Sequence, residues 1–452
     1  MYVTALLHPW IIAKHRELVP AGSLRQRFAL GVFWSLAGAV ASRGFLLAAS
    51  VACARFLGKE GFGALGMIQS TAGTFGVFAG LGLGLTATKY VAEFRRQDPV
   101  RAGRILALSA VAALVSGLAM SMLLIFFAPY IAQRVLASPQ LAAPLAIGSG
   151  LVLFGALNGA QTGALAGLEA FRTIARVNLM AGVASLSVIV FGVWRGGLQG
   201  AVWGLVAALA INWMLNNHAL RQECDKADIT YHFASCHREW NILHRFSLPA
   251  FLASAMVAPA IWACNALLVR QPYGYAELGI YTAADRWRLL ILFVPSSAFA
   301  TALPVLSNLY GESDSLGFRK VFRDNLRLNI SLTFVAAFLI AVLAAPIMAV
   351  YGGSFREGRA VLMVLAFCAV PEALNTMLGQ PLIASQRMWW RFVFDLLLVV
   401  TLVGLAWVLI PKWGARGLAA SYGTAYLATS LGLFLFLLAH SRRSTEFRII
   451  PK

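Results

Sequence analysis

The sequence predicts an all-α polytopic membrane protein of about twelve helices, arranged as two six-helix lobes related by a parallel repeat. Three observations predict it. The chain is 60% hydrophobic and 12% charged, about half the charged share of a soluble domain, ~25%. Its apolar residues fall into runs long enough to cross a bilayer, which takes about 20 residues per helix. Matching patterns recur in the two halves of the chain.

The spans are taken in order as 28–56, 63–88, 103–127, 144–168, 173–194 and 198–220, then 246–269, 278–310, 328–350, 358–384, 391–410 and 417–440. Ahead of them lies a mixed segment, 1–27. The polar stretch 221–245 separates the two sets and reads as a linker, and 441–452 forms a tail. The formal charge is +19, which in a soluble chain would suggest nucleic acid. Here the cations punctuate apolar runs and form no single basic face, so they report topology and argue against a nucleic-acid partner. Arg25, Arg27, Arg95, Arg96, Arg101, Arg104, Arg238, Arg319, Lys320, Arg323, Arg442 and Arg443 fall on one side. Lys59, Arg134, Arg195, Arg359 and Lys412 fall on the other. The first set is the larger, which places both termini in the cytoplasm.

The repeat rests on three ordered pairs. The stretch 63-GALGMI-68 matches 276-AELGIY-281, 157-LNGAQTGALA-166 matches 374-LNTMLGQPLI-383, and 196-GGLQGAVWG-204 matches 413-WGARGLAAS-421, all at a nearly constant offset. With six spans per unit the halves share one orientation, and transporters commonly bind substrate between such repeats. Gly73, Gly76, Gly80, Gly82 and Gly84 in the second span allow close helix approach or bending.

A charge inside the bilayer is expensive and usually faces a cavity or a partner. Arg43, Arg286 and Arg288 fall deep in spans one and eight, beside Asp285. Lys89, just before the charged cluster ending at Arg96, could also face an interior cavity. Glu372 and Asp395 are the deep acids, available for pairing or for a coupling ion. Three arginines against fewer deep acids favour an anionic substrate, because the guanidinium fork suits phosphate oxygens. Gln69, Asn158, Gln161, Asn265, Asn375 and Gln380 could bond sugar hydroxyls or neighbouring helices. Cys224, His232, Cys236 and His237 share the linker, but their spacing fits no common zinc pattern. No cofactor is expected.

The runs 56-FLGKEGFGALGMIQS-70 and 80-GLGLGLTATKYVAEFRR-96 resemble the Wzx-type polysaccharide biosynthesis proteins. These are the O-antigen and exopolysaccharide flippases of the multidrug/oligosaccharidyl-lipid/polysaccharide exporter superfamily. The resemblance implies a V-shaped pair of lobes around a cationic cavity in the bacterial inner membrane, lined by the spans that carry Arg43, Arg286 and Arg288. It implies alternating access, an undecaprenyl-pyrophosphate-linked oligosaccharide as substrate, and a polysaccharide polymerase and assembly proteins as partners alongside membrane lipid. It implies no enzyme activity. Rival readings are a small-molecule or drug exporter of the same superfamily, in whose cavity acids should dominate, or a membrane enzyme or scaffold of polysaccharide assembly. A ligase would need a long outer loop bearing its site, and 128–143 contains no His or acid.

Overall fold

In the computed structural model, the described residues are 24–242, 251, 255–293, 295, 296, 306, 309, 315–384 and 388–443. Among them there is no strand. Among the described residues, seven helices are long and apolar enough to cross a membrane. Three of the longest are pairs of arms bent at glycine. Helix α1 (Leu24–Gly80) turns at Gly58, with φ of 66°. Helix α5 (Phe171–Lys226) turns at Gly196 and Gly197, and helix α11 (Met388–Arg443) at Gly414, with φ of 54°. The left-handed φ at Gly58, Gly197 and Gly414 strains any residue with a Cβ, so these glycines let a chain leave one span and enter the next with almost no loop. Span one is thus the first arm of α1, and span two begins as its second arm and continues beyond a break at Leu81 and Gly82; spans five and six are the arms of α5, and eleven and twelve those of α11.

The other long helices of the first half are α2 (Leu83–Phe94), α3 (Pro99–Tyr130) and α4 (Ala142–Gly167). Helix α3 begins on Asp98, whose carboxylate accepts from the Arg101 amide at 2.9 Å, with Pro99 in the first turn. That is a capped helix start. The second half contains α6 (Val257–Val269), α7 (Gly274–Ile291), α8 (Ser315–Val342), α9 (Ala344–Tyr351) and α10 (Arg359–Ala384). Only part of the seventh and eighth expected spans lies within the described residues. Val115, Met122, Phe126 and Phe338 are more than half exposed, an outer surface matched to hydrocarbon and not to water.

The core is divided. One cluster joins both halves, packing Phe62, Met67 and Ile68 with Cys264, Leu278, Ile280, Tyr351 and Phe355. A second lies in the first half and takes in Val91, Ile105 and Leu165, together with Ile229 and Ile242 from the polar connection. A third lies in the second half around Phe318, Phe322, Leu382 and Phe394. The halves therefore share a core at one end and keep separate cores at the other.

The shared end is built on the repeated motif. A Cβ on Gly63 would collide with the Tyr275 carbonyl oxygen, and one on Gly279 with that of Lys59. Backbone meets backbone here because neither glycine has a side chain. Polar bonds flank the crossing: Trp262 Nε1 donates to Thr71 Oγ1 at 2.9 Å, Asn265 Nδ2 to Ser70 Oγ at 3.0 Å, and Arg55 Nε to the Val350 carbonyl at 2.7 Å. Arg55, at the outer end of the first arm of α1, thus ties the two halves together.

Candidate functional site

Beside this seam lies a cavity of about 450 Å³, walled by both arms of α1, by α5 and by α7. The first arm of α1 supplies Arg43 and Ser50, which share a face at i and i+7. The second arm supplies Gln69, α5 supplies Asn178, and α7 supplies Arg286. Among the described residues, no Asp or Glu lines it.

The two arginines are held by neutral groups. Arg286 Nη2 donates to Gln69 Oε1, and its Nε is buried without a protein partner. Arg43 Nη1 donates to the Leu289 carbonyl at 3.3 Å, and its guanidinium lies 4.3 Å above the centre of the Phe293 ring. Among the described residues neither forms an ion pair with a carboxylate. Two guanidinium groups facing one apolar-walled space attract an anion strongly, since the low dielectric weakens screening. Both retain N–H groups for phosphate or carboxylate oxygens.

Arg288 belongs elsewhere. It is buried in the second half, with Nε 2.7 Å from Asp285 Oδ1, Nη1 paired to Glu372, and a 3.0 Å hydrogen bond to the Tyr422 hydroxyl. Its guanidinium stacks 4.5 Å over the Tyr422 ring. Tyr422 in turn donates to Glu372 Oε1 at 3.2 Å. The sequence expectation put Arg288 and Asp285 in a substrate cavity, and the structure closes them into an ionic cluster. The reason is helical geometry: Arg286 and Arg288 are about 200° apart around α7, so one cannot follow the other into the cavity.

Lys89 also lies away from the cavity. It is exposed on α2, its ammonium 4.9 Å from the centre of the Tyr90 ring. Asp395 is 6% exposed and pairs with Arg391 through both oxygens, at 2.7 and 3.0 Å. Of the polar amides, Gln69 lines the cavity, whereas Asn158 and Asn265 bond neighbouring helices. Sequence reasoning passed over Ser42, Ser50 and Asn178. An amide alone in the run 177–194 was a signal for Asn178; Ser42 and Ser50 carried none beyond their spacing from Arg43.

At the far end of the first half, Arg95 donates to the Leu168 carbonyl at 2.8 Å and pairs with Glu169 at 2.6 Å. The charges after the glycine-rich stretch thus tie α2 to the end of α4. Glu239, 7% exposed, joins Arg101 at 3.2 Å and Arg104 at 3.4 Å, which fastens the polar connection onto α3.

Comparisons with known proteins place these features in context. The profile of a family described as polysaccharide biosynthesis protein matches residues 28–310. An EPS I polysaccharide export inner membrane protein, EpsE of Ralstonia nicotianae, is 25% identical over 435 residues, which cover 94% of this chain and 97% of that protein. An inward-facing multidrug resistance MATE family transporter of the MOP superfamily superposes with a TM-score of 0.70 at 16% identity, covering 87% of this chain and 92% of its own. A MOP superfamily transporter from Pyrococcus furiosus, whose binding pocket is described as having reverse polarity, gives 0.64 at 14% identity, over 90% of this chain and 93% of that one. At such identities the structural likeness concerns the fold.

Proposed function

Since the chain belongs to the polysaccharide biosynthesis protein family, we propose that it is an inner-membrane transporter that moves an undecaprenyl-pyrophosphate-linked oligosaccharide from the cytoplasmic to the periplasmic leaflet. The product feeds O-antigen, capsule or exopolysaccharide assembly. The observation that carries this reading is the cavity lined by Arg43 and Arg286 and, among the described residues, by no acid. A pyrophosphate cannot enter hydrocarbon unaided, and paired guanidinium groups replace its water with charge-assisted hydrogen bonds. Gln69, Asn178 and the serines offer partners to the first sugars, while the polyprenyl tail stays in lipid. The same cavity polarity disfavours export of organic cations.

Residues 28–220 and 246–440 act as two six-helix lobes joined by 221–245. With both termini cytoplasmic, the Gly63–Gly279 crossing lies toward the periplasm, and the separate cores lie toward the cytoplasm. The state described is then inward-facing, and transport requires the crossing to part while the cytoplasmic ends close. Arg43 and Arg286 grip the head group in both states with similar strength, because tight binding in one state alone would trap the complex.

The test is protein-dependent exposure of a lipid-linked oligosaccharide to an impermeant glycosidase on the far side of proteoliposomes. Faster exposure with the purified protein, slowed in an Arg43→Ala, Arg286→Ala double variant, supports the reading. Exposure that ignores the protein overturns it.

A further inference from the structure

The two repeats differ where they should be most alike. Asn158 in α4 and Asn375 in α10 occupy matching places in the second motif pair. In the first half the amide is fully engaged. Asn158 Nδ2 donates to the Phe154 and Leu209 carbonyls at 2.8 and 2.9 Å, and its Oδ1 accepts from Asn216 Nδ2 at 3.0 Å. In the second half the Asn375 Nδ2 group, on a residue 2% exposed, has no protein partner.

Two further unpartnered amides lie on α8 and α10. Gln380 is 0% exposed and its Nε2 is unpartnered; Asn329 is 1% exposed and its Oδ1 is unpartnered. The last two are linked through Asn325, whose Nδ2 donates to Gln380 Oε1 at 3.2 Å and whose Oδ1 accepts from Asn329 Nδ2 at 2.7 Å. The amides thus form a chain between α8 and α10, with a free donor at one end and a free acceptor at the other. On the α11 side, Arg391 Nη1 reaches the Asn375 carbonyl at 3.4 Å, close against Gly379. Along α10, Glu372, Asn375, Thr376, Gly379 and Gln380 follow the i, i+3, i+4, i+7, i+8 spacing of a single helix face.

Buried amides left open are costly in an apolar interior. A free donor and a free acceptor on neighbouring packed helices suit a ligand that both donates and accepts. An anion would leave the Asn329 oxygen unmet, and a metal ion would leave the two NH₂ groups unmet. Water serves both. We propose that the seam between α8, α10 and α11 is a built hydration site, holding ordered water against Gln380, Asn329 and Asn375, and that its repeat-mate around Asn158 is dry. The second half is therefore solvated from within, along the helix face that leads to Glu372 and its partner Arg288.

Met377 supplies a reporter. It is 0% exposed, and its sulfur lies 3.6 Å from Asn325 Nδ2. Met67 and Met348 are equally buried but sit in the shared apolar core. Hydroxyl-radical footprinting of the full-length protein in micelles, with radicals made from H₂¹⁸O by X-ray pulse, marks residues that touch bound water. The expected result is sulfoxide formation at Met377 about tenfold faster than at Met67 and Met348, because ordered internal water places the radical beside its sulfur. Gln380→Leu, which keeps the volume and removes the amide, should return Met377 to the rate of the other two. Equal protection of all three methionines in the wild-type protein overturns the proposal, as does labelling of Met377 that survives Gln380→Leu in a folded variant. Fast backbone deuterium exchange across 374–383 also overturns it, since local opening would then explain the label. None of these readouts depends on what the protein transports.

Discussion

Arg286 and Arg288 stand two residues apart on α7 and serve different halves of the molecule. Arg286 donates across the seam to Gln69 and lines the cavity, while Arg288 turns into its own half and pairs with Asp285 and Glu372. One is held by neutral groups and keeps capacity for an anion; the other is already neutralised.

Arg286→Ala should lower translocation by on the order of tenfold or more, since a charge-assisted contact to phosphate is worth roughly 1.5–3 kcal/mol. Arg286→Lys should restore the rate only in part, because an ammonium cannot make the forked contact. Gln69→Leu should fall between them by leaving the guanidinium undirected. The proteoliposome assay reads all three, with thermal unfolding as the control for folding.

Arg288→Met should instead damage the protein itself. It strands two carboxylates beside each other, and breaking a buried ionic group costs about 3–5 kcal/mol. Adding Asp285→Asn and Glu372→Gln should recover most of that loss. Unfolding of the purified variants in detergent measures the loss and the recovery, and an Arg288→Met protein as stable as wild type would contradict the structural role.

Gly63→Val should prise the halves apart, because its side chain meets the Tyr275 backbone, which cannot swing aside as a side chain would. Overpacking of this kind costs about 1–3 kcal/mol. Cys264, 2% exposed at the shared core, then becomes reactive to maleimide. Gly73→Val, on the same arm with open space around it, should leave Cys264 protected.

Glu239→Ala should release the polar connection from α3, since both Arg101 and Arg104 lose their carboxylate. Faster cleavage within 227–242 under limited proteolysis is the expected signature, and an Arg101→Ala, Arg104→Ala variant should reproduce it. An unchanged cleavage rate would mean that apolar contacts of Ile229 and Ile242 hold the segment unaided.

Hydropathy carries far in this chain because bilayer thickness fixes how long an apolar run must be. The run 28–56 therefore announced a helix whatever its neighbours. The glycine bends at Gly58 and Gly414 were less legible. A glycine in a membrane helix serves packing as readily as turning, and only the backbone conformation separates the two uses. Lys89 shows the same limit: its position in the sequence is compatible with either face of α2, and only the fold shows that it is exposed and does not line the cavity beside Arg43.

By itself the sequence determined that this is a helical membrane protein with motifs that recur in its two halves, a biased distribution of cations, and arginines set deep in apolar runs. Those properties depend on residues near one another in the chain and on the solvent they must meet. Only the tertiary structure decided which arginines stay open to a ligand. Glu372 lies 84 residues beyond Arg288 and Gln69 lies 217 residues before Arg286. No local pattern records which helices will pack together, yet that packing sets whether a buried guanidinium meets a carboxylate, a neutral amide or a cavity.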